Sequence, residues 1–360
     1  MARIVIAGGG TAGHIEPGLA IARLWKKSHP VDEIIFCGTK FGLEETLIPE
    51  AGFQLFYIPK VVAPRKLSLS ILTLPFHLIR AIAVAKSEIS QSDLLIGFGG
   101  YVSAPAYIAA KIARVPIVIH EANARPGIAN RLGSYFTPFL ACTQSIEKGR
   151  FSSALITGLP LKINIIESFH NSQKDWKASR ERAKQRLGFE IDKKLIFIMG
   201  GSQGSVAINK VIAQSLDSLI SENVSILHSV GKSNRLPDVK ANYSPIPYVD
   251  YMNDAYLAAD LVIARSGAVT CSEFRTLGRF ALFIPLPIGN GEQFLNAQDL
   301  VQQGRAEVID QKYFTPEYLV ANLKRLMEKS SRAAIDGDEY ELLATEKIVS
   351  LMEHAMATTS

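Results

Sequence analysis

A glycine-rich turn close to the N-terminus constrains the fold of this chain more than any other feature. The turn spans residues 8–14, follows a short apolar segment at residues 3–7, and leads into a helical segment that we expect to start near Pro17. Glycines between a strand and a helix let the backbone approach a ligand closely, and the free N–H groups of the helix favour an anion. The pattern therefore predicts the strand–turn–helix unit that opens a doubly wound sheet.

The same turn fits the dinucleotide-binding pattern Gly-x-Gly-x-x-Gly, at Gly8, Gly10 and Gly13. That pattern also requires an Asp or Glu about 20 residues further on, at the end of the next strand, to hold a ribose. Here the next predicted strand ends in Gly-Thr at residues 38–39, and His14 stands at the start of the helix. A nicotinamide-dependent dehydrogenase is therefore the least favoured class.

Apolar strands alternate with helical segments, and the pattern starts again in the second half. Strands are predicted at residues 4–7, 34–37, 94–97, 115–119, 139–141, 195–199, 225–230, 261–264 and 281–285. Continuous rather than alternating apolar residues indicate parallel strands covered on both faces. A second glycine turn, at residues 200–205, follows the first strand of the second half. The predicted fold is α/β, with two Rossmann-like doubly wound domains whose strand-end loops face a cleft.

The predicted boundaries give an N-terminal domain at residues 1–161 and a C-terminal domain at residues 162–342. A helix at about residues 343–360 has an amphipathic pattern, and we expect its apolar face to pack back on the first domain. Residues 158–160, Gly-Leu-Pro, are predicted to form a hinge. The charged stretch at residues 174–186 is predicted to be a solvated helix.

Composition excludes several classes of protein. The net charge of +5 is too small to argue for nucleic acid as a partner. Cys37, Cys142 and Cys271 stand in no metal or disulfide spacing, which indicates a reducing compartment. The N-terminus has too few apolar residues for a signal peptide, and the longest apolar run, residues 71–85, is shorter than the roughly 20 residues of a membrane span. We therefore expect a cytoplasmic protein.

One segment of the first half, residues 64–86, combines apolar and basic residues. Phe76 and Ile79 are flanked there by Lys66 and Arg80, among others. A packed helix with one wet face accounts for this pattern. The alternative is an interfacial surface that contacts anionic lipid.

Polar residues and glycines follow two further strands of the first half. The loop after residues 94–97 contains several glycines, which suggest close approach of a ligand, and then Ser103, which we expect to cap the next helix. The second strand, at residues 115–119, is followed by His-Glu-Ala-Asn at residues 120–123. Because ligands of doubly wound sheets bind beyond the carboxyl ends of the strands, both loops are candidate parts of a site.

The second half carries the more specific pattern, Arg-Ser-Gly-Ala-Val-Thr-Cys-Ser-Glu at residues 265–273. The N–H groups of residues 266–268 at the start of a helix, together with the Arg265 guanidinium, suit phosphate oxygens. Glu273 lies one to two turns into that helix, where its carboxylate can accept two hydrogen bonds from a ribose diol. A capped helix with an early acidic residue is the plainer alternative. Gln293 offers an amide to sugar hydroxyls.

Taken together, these motifs resemble the N-acetylglucosaminyltransferase family of bacterial peptidoglycan synthesis, which converts lipid I to lipid II. Six motifs occur in the family's order, at residues 9–14, 99–103, 120–123, 200–204, 265–273 and 292–297. The resemblance implies a GT-B glycosyltransferase with UDP-GlcNAc held mainly by the second domain. It implies that the first domain meets the acceptor, undecaprenyl-diphosphate-MurNAc-pentapeptide, as a peripheral protein on the cytoplasmic face of the cell membrane. Other cell-wall and division proteins are further expected partners.

The resemblance also implies roles for individual residues. Val249 would line the uracil pocket, and Glu273 would hold the ribose. Asn123 and Gln293 would contact GlcNAc. The other residues implied to bind UDP-GlcNAc are Thr11, Ala12, Gly13, Lys162, Ser202, Arg265, Ser266, Gly267, Ala268, Val269, Thr270 and Glu292. The residues implied to bind the acceptor are Gly99, Gly100, Tyr101 and Ser103.

His14 is the predicted general base of an inverting transfer to the MurNAc 4-hydroxyl, and Glu121 stays open as an alternative. The helix dipole disfavours an imidazolium at a helix N-terminus, so a neutral imidazole is available near pH 7. Ser202, Arg265 and the N–H groups of residues 266–268 would stabilise the charge on the leaving UDP. No metal or other cofactor is expected, because direct displacement requires none and the Asp-x-Asp sequence, beginning at residue 336, does not end a strand.

Four positions depart from the residues common in the family. Ala12 stands where glycine is common, and it would be strained if its backbone needed a positive φ. Ala122, Lys162 and Glu292 stand where glutamine, arginine and glutamine are common. These changes leave the reaction class unchanged and bear on which side chains contact the donor.

Two other functions fit much of the same sequence. A UDP-sugar transferase of the same fold that acts on another lipid, such as a diacylglycerol, would share the donor half. The motifs at residues 99–103 and 120–123 favour the muramyl lipid. A nucleotide-sugar-binding protein without turnover is the other alternative, and the presence of both His14 and Glu273 argues against it.

Overall fold

The computed structural model describes residues 1–61, 70–287 and 290–359, in two compact units. Unit 1 comprises Met1–Lys162 and Tyr340–Ser360, and unit 2 comprises Ile163–Glu339. Lys66 and its basic neighbour at position 65 lie outside the described residues. Among the helices that are described, none combines the length and hydropathy needed to cross a membrane.

Unit 1 is built on a seven-stranded sheet in which all neighbouring strands are parallel. Its strands are β1 (Arg3–Gly8), β2 (Glu33–Gly38), β3 (Gln54–Tyr57), β4 (Leu94–Gly99), β5 (Ile117–Glu121), β6 (Leu140–Cys142) and β7 (Leu155–Ile156). Its first helices are α1 (Ala12–Ser28), α2 (Glu44–Glu50), α3 (Ser70–Ile89), α4 (Ser103–Ala113) and α5 (Ile128–Gly133). The strand order is β3-β2-β1-β4-β5-β6-β7, which is a doubly wound topology.

The inner strands of this sheet are apolar over most of their length because both of their faces are covered. Ile4 and Ile6 of β1 belong to the core cluster that includes residues of α1. Val5 and Ala7, on the opposite face of the same strand, belong to the cluster that includes residues of α4. The period of two that would mark a half-exposed strand is therefore lost from the sequence.

Unit 2 repeats the architecture with a six-stranded sheet, whose neighbouring strands are again parallel. Its strands are β8 (Leu195–Met199), β9 (Ser225–Ser229), β10 (Tyr243–Ile246), β11 (Leu261–Ala264), β12 (Ala281–Phe283) and β13 (Ala306–Val308). Its helices are α6 (Ile163–Lys174), α7 (Trp176–Arg186), α8 (Val206–Ser221), α9 (Met252–Ala258), α10 (Ala268–Leu277), α11 (Glu292–Asn296), α12 (Gln298–Gln302) and α13 (Pro316–Arg332). The strand order is β10-β9-β8-β11-β12-β13. The prediction of two Rossmann-like α/β halves, made from the strand and glycine patterns, is confirmed.

The last helix, α14 (Ala344–Thr359), is part of unit 1. Its side chains Ile348 and Met352 are buried in the same cluster as the α1 residues. The buried Glu341 carboxylate, just before α14, accepts a hydrogen bond from the Leu159 N–H. The segment predicted as a hinge, residues 158–160, is thus buried and held within unit 1.

Each sheet has one point where the strand order reverses. The first glycine turn of each unit lies at this point. In unit 1 this switch point falls between β1 and β4, and in unit 2 between β8 and β11. Ligands of doubly wound sheets bind beyond the carboxyl ends of the strands at such a point. The turn after β1 and the loop after β4 flank the first one, and residues 200–204 and Arg265 flank the second.

Helix α1 begins at Ala12 rather than near Pro17, so the predicted start was wrong. Pro17 costs the helix one hydrogen bond, but the buried Ile15 and Leu19 on either side keep the segment helical. Within the described chain, the non-glycine residues with positive φ are Arg114 and two asparagines, at positions 223 and 242. Ala12 is therefore an ordinary helical residue, and the strain considered for it does not arise.

The charged helix α7 is solvated along only part of its surface, whereas the prediction made it a solvated helix: Lys177 and Arg186 are exposed, but some other charged residues are not. Lys184 is 1% exposed, and its ammonium donates to the carbonyls of Ile191, at 2.8 Å, and Lys193. Arg180 pairs with Asp260 at 2.7 Å. These contacts compensate the buried charges, so Arg180 and Lys184 belong to the packing of unit 2.

Candidate active site

The glycine turn after β1 is packed so tightly that glycine is required. Gly10 has a φ of +91°, and a Cβ on it would lie 2.6 Å from a carbon of the Tyr101 ring. Gly100 has a φ of +82°, and a Cβ there would lie 2.5 Å from the Gly9 carbonyl oxygen. The two loops at the first switch point therefore touch backbone to backbone.

His14 projects from the first turn of α1 against this turn. Its Nδ1 lies 3.2 Å from the Gly9 carbonyl oxygen and 3.2 Å from the Thr11 hydroxyl. Because a carbonyl oxygen can only accept, Nδ1 carries the proton in the neutral ring, and Nε2 presents a lone pair. Burial lowers the pKa of His14, against its hydrogen bond to the Gly9 carbonyl and the charge of Glu44, which raise it. A half-buried, neutral imidazole at pH 7 is suited to accept a proton.

Glu44, in the first turn of α2, is a site residue that the sequence analysis missed. Its carboxylate accepts from the Gly10 N–H at 3.0 Å, the Tyr101 hydroxyl at 2.9 Å, and the Thr39 N–H and hydroxyl at 3.1 Å each. Burial alone would raise the pKa of Glu44, but these hydrogen bonds hold it below its usual range. The only signal in the sequence is the acidic pair Glu44-Glu45 that begins two positions after Gly42, which a helix dipole also explains.

The residues predicted to bind the acceptor lie beside this turn. Gly99 and Gly100 both have positive φ, and the Tyr101 ring covers Gly10 while the Lys60 ammonium lies 5.2 Å from the ring centroid. Ser103 does not cap its helix, contrary to the prediction, because the N-cap residue of α4 is Val102. The buried Ser103 hydroxyl instead shares its one hydrogen between the carbonyls of Ala7, at 3.1 Å, and Gly99, at 2.7 Å. Ser103 thereby joins the ends of β1 and β4.

Glu121, the alternative base, is buried at the end of β5 with its oxygens fully engaged. It accepts from the Asn123 N–H at 2.9 Å, the Asn123 amide at 3.1 Å, the Gly127 N–H at 3.0 Å and the Asn130 amide at 2.9 Å. Four donors occupy the four lone-pair positions of a carboxylate. This geometry suits a residue that holds the loop after β5, with Asn123 at its start, and it disfavours proton abstraction by Glu121.

Two buried histidines, one in each unit, are built to stay neutral. His120 Nε2 lies 2.9 Å from the Gly158 carbonyl, and His228 Nδ1 lies 2.9 Å from the Tyr243 hydroxyl. Burial lowers the pKa of His120 and of His228 to about 4. Both rings are therefore structural rather than proton-transferring near pH 7.

These histidines predict acid-sensitive stability. A histidine with a depressed folded-state pKa contributes stability that is full above its ordinary value of 6.5 and is lost as the pH falls towards 4. Lowering the pH from 7 to 4 should reduce the free energy of unfolding by about 3 kcal/mol per histidine. Urea unfolding at both pH values measures this. His120→Gln should reduce the pH dependence, and an unchanged dependence would contradict the assignment.

In unit 2, Arg265 connects three strand-end loops at the second switch point. One terminal nitrogen of its guanidinium donates to the carbonyls of Ile284, at 2.8 Å, and Pro285, at 3.1 Å. The other donates to the Ser205 hydroxyl, at 2.8 Å, and the Gln311 amide oxygen, at 2.6 Å. Four of its five N–H donors are thus used inside the unit, and the fifth, Nε–H, is buried without a partner. Burial lowers the pKa of Arg265 to about 10, so its positive charge is retained at neutral pH.

The start of α10 presents unused donors next to this arginine. Within the described residues, the buried Arg265 Nε and the Ser266 hydroxyl lack hydrogen-bond partners. Gly267 precedes the helix in an extended conformation, and the first N–H groups of α10 follow it. Residues in the first turn of α10 that are only half-buried are Ala268, Val269 and Thr270. Positive charge, free donors and a helix N-terminus together suit a phosphate group.

Glu273 and Val249 are both buried in unit 2. The Glu273 carboxylate accepts from the Tyr256 hydroxyl at 2.9 Å, which fixes its orientation. Val249 is 2% exposed and therefore presents almost no surface to a uracil ring.

The other predicted donor-binding residues make contacts of their own. The Gln293 amide oxygen accepts from the Leu286 N–H at 3.0 Å, and the Glu292 carboxylate accepts from the Asn290 N–H at 3.1 Å. Both residues therefore shape the loop before α11. Ser202 is half-buried in the turn after β8.

Lys162 lies in unit 1, and its ammonium pairs with Glu16 of α1 at 2.8 Å.

The structure brings together two groups of predicted residues, one in each unit. In unit 1 these are Thr11, Ala12, Gly13, His14, Gly99, Gly100 and Tyr101. In unit 2 they are Arg265, Ser266, Gly267, Ala268, Val269, Thr270 and Glu273. Across the part of the chain that is described, no group of three or more His, Cys, Asp and Glu side chains is arranged to hold a metal ion.

Comparisons with protein families agree with this architecture. The glycosyltransferase family 28 N-terminal domain matches residues 4–138, and the glycosyltransferase family 28 C-terminal domain matches residues 195–353. The first match covers the turn of His14, and the second covers the Arg265 loop and Glu273.

Curated relatives match over most of their length. A protein of Corynebacterium glutamicum (strain R) is 42% identical over 92% of this chain and 92% of its own length. One of Thermobifida fusca is 40% identical over 92% of this chain and 87% of its own. Both are named UDP-N-acetylglucosamine–N-acetylmuramyl-(pentapeptide) pyrophosphoryl-undecaprenol N-acetylglucosamine transferase.

Among solved structures, the crystal structure of Acinetobacter baumannii MurG superposes with a TM-score of 0.72 at 25% identity, covering 98% of this chain and all of that one. The calicheamicin glycosyltransferase CalG4 superposes with a TM-score of 0.69 at 11% identity, over 99% of this chain and 98% of that one. The second similarity bears on the fold alone, which is the GT-B glycosyltransferase fold.

Proposed function

The chain belongs to glycosyltransferase family 28, and from this membership we propose that it transfers GlcNAc from UDP-GlcNAc to the MurNAc 4-hydroxyl of undecaprenyl-diphosphate-MurNAc-pentapeptide. The reaction converts lipid I to lipid II. The observation that carries the proposal is the identity of 40–42% to transferases with that donor and acceptor in their names, over nearly their whole length. The histidine at the first switch point supplies the base that such a transfer requires.

The chemistry assigned to unit 1 is proton removal from the acceptor. Nε2 of His14 accepts the proton of the 4-hydroxyl while that oxygen attacks the anomeric carbon of GlcNAc. The bond from this carbon to the UDP oxygen breaks, and the configuration at the carbon inverts. The hydrogen bond of Nδ1–H to the Gly9 carbonyl, at 3.2 Å, keeps Nε2 unprotonated for this role.

The chemistry assigned to unit 2 is donor binding and stabilisation of the leaving UDP. Glu273 accepts hydrogen bonds from the ribose diol, and its orientation by Tyr256 supports this role. The Arg265 Nε–H, the Ser266 hydroxyl and the first N–H groups of α10 take the diphosphate, because they are unused donors beside a positive charge. Gln293 and Asn123 are assigned to the GlcNAc group.

The membrane-facing surface of unit 1 is assigned to α3. Phe76 is 67% exposed and Ile79 is 66% exposed, which a packed helix with a wet face does not explain. Arg80 lies beside them and is also exposed. Apolar side chains next to a cation suit the interface of an anionic bilayer, so the protein is peripheral on the cytoplasmic face of the cell membrane. Other cell-wall and division proteins are candidate partners there.

Replacing both Phe76 and Ile79 by glutamate should weaken binding to anionic vesicles at least about tenfold, because two large apolar side chains no longer leave water. Sedimentation with phosphatidylglycerol vesicles measures this. The matched control is Val239→Glu, which changes an apolar residue of unit 2 that is 73% exposed. Equal binding of the double variant and the control would remove α3 from the membrane surface.

The function itself is tested by UDP release from UDP-GlcNAc with and without a lipid I analogue that carries a shortened prenyl chain. Acceptor-dependent release, with the disaccharide product identified by mass, is the expected result. Binding of UDP-GlcNAc without release of UDP would support the assigned donor and reject lipid I as the acceptor. The same assay with diacylglycerol then separates a transferase of another lipid from a protein that only binds nucleotide sugars.

A further inference from the structure

A single peptide group in unit 1, the one between Gly9 and Gly10, is hydrogen-bonded at both of its polar ends. Its N–H, from Gly10, donates to Glu44 Oε2 at 3.0 Å. Its carbonyl, from Gly9, accepts from Nδ1 of His14 at 3.2 Å. A carboxylate, a peptide group and an imidazole therefore form one continuous chain of hydrogen bonds.

Hydrogen bonds in series polarise one another. A carboxylate that accepts from a peptide N–H draws electron density towards the carbonyl oxygen of the same group, so that oxygen becomes a stronger acceptor. A stronger acceptor at Nδ1–H makes the opposite nitrogen of the ring more basic, and it stabilises the imidazolium that forms when Nε2 takes a proton. The carboxylate thus acts on the histidine without touching it.

The surrounding packing holds this peptide group in one place. A Cβ on Gly9 would lie 3.0 Å from a Glu44 oxygen, and a Cβ on Gly10 would lie 2.6 Å from the Tyr101 ring. The second carboxylate oxygen of Glu44 is fixed by Thr39 and by Tyr101. The charge is therefore pre-oriented rather than mobile.

Among the described residues, Glu44 is the charged group that acts on this histidine across the turn. Glu44 on α2 and Tyr101 before α4 are the titratable groups that face it across the turn, and the Lys60 ammonium lies over the Tyr101 ring. On its own helix, Glu16 is paired with Lys162. Glu44 is thus the acidic group with a hydrogen-bonded route to the ring.

We propose that Glu44 is a positioning residue that fixes the tautomer and raises the basicity of His14 through the Gly9–Gly10 peptide group. The proposal rests on the proposed function, because it gives His14 the role of base. In proton-transfer terms, Nε2 gains the acceptor proton, Nδ1 keeps its own, and Glu44 stays ionised throughout.

The test is Glu44→Gln, with Glu45→Gln as the matched control. Glu45 is the next residue of the same helix and is exposed, so its variant removes the same charge from the same element without touching the turn. Glu44→Gln should lower kcat about tenfold, which corresponds to 1.4 kcal/mol, and leave the KM for UDP-GlcNAc unchanged. The acid limb of the kcat/KM profile should move to lower pH, and Glu45→Gln should leave both quantities as they are.

The direct readout is the pKa of His14, followed by nuclear magnetic resonance of its imidazole and assigned with His14→Gln. This pKa should fall in Glu44→Gln relative to the wild type. If Glu44→Gln does not fold, Glu44→Asp keeps the charge and retracts the carboxylate by one methylene, and the His14 pKa should again fall. An unchanged His14 pKa in the folded variant overturns the relay. Because this readout needs no turnover, it stands even where wild-type transfer fails and the proposed function is wrong.

Discussion

Replacing His14 by alanine is expected to lower the rate of GlcNAc transfer by about 10²–10⁴-fold, the usual contribution of a general base. The affinity for UDP-GlcNAc should change by no more than about twofold, because no contact with the donor is assigned to His14. The rate falls because the 4-hydroxyl must lose its proton as it attacks. The lone pair of His14 Nε2, at the first switch point, is the group assigned to accept that proton.

Single-turnover transfer to the lipid I analogue measures the rate, and titration calorimetry measures donor affinity. The control is His354→Ala, which removes an exposed histidine of α14 in the same unit. In the wild type, kcat/KM should fall as the pH drops through a value below 6.5, because burial lowers the pKa of His14 and its protonated ring cannot accept a proton. Near-normal turnover of His14→Ala would eliminate His14 as the base.

Replacing Glu273 by alanine is expected to raise the KM for UDP-GlcNAc by about 10²-fold. Two hydrogen bonds from a ribose diol to a charged carboxylate are lost, each worth about 1.5–3 kcal/mol, and part of that loss is recovered by water. The fixed orientation of the carboxylate by Tyr256, at 2.9 Å, means that little entropy is recovered in the variant. The kcat at saturating donor should change far less.

A nucleotide that lacks the ribose 2′-hydroxyl makes this test specific. The wild type should bind 2′-deoxy-UDP more weakly than UDP, whereas Glu273→Ala should bind the two alike, since the partner of the hydroxyl is gone. Tyr256→Phe is the control for orientation, and it should weaken UDP binding less than Glu273→Ala does. Equal discrimination by the wild type and Glu273→Ala would place the ribose elsewhere.

The strands that sequence patterns predict are the inner strands of both sheets. The four strands that the patterns miss are β3, β7, β10 and β13, and each lies at the edge of its sheet. An edge strand is covered less completely than an inner one. Both residues of β7 and the two end residues of β3 are exposed. Continuous apolar residues mark burial on both faces, so this criterion finds the middle of a doubly wound sheet and misses its edges.

For the candidate site, the sequence reveals the residue types at the strand ends but not their partners. Glu44 reaches Gly10 and Tyr101, which are 34 and 57 positions away along the chain. Arg265 has the charge that a phosphate requires, but most of its donors bind the protein's own loops. Motif analysis places groups along a chain, whereas hydrogen-bond partners depend on which loops the topology brings together. His14 and Glu273 as functional residues stay predictions for the experiments above.

The return of α14 to unit 1 has a consequence for the order in which the protein is made. Unit 2 is one continuous stretch of chain, Ile163–Glu339, whereas unit 1 needs its last residues to complete its core. Until Ile348 and Met352 leave the ribosome, the apolar surface that they cover around α1 is exposed to water. The unit translated first is therefore completed last, and the nascent chain carries an unfinished hydrophobic face throughout the synthesis of unit 2.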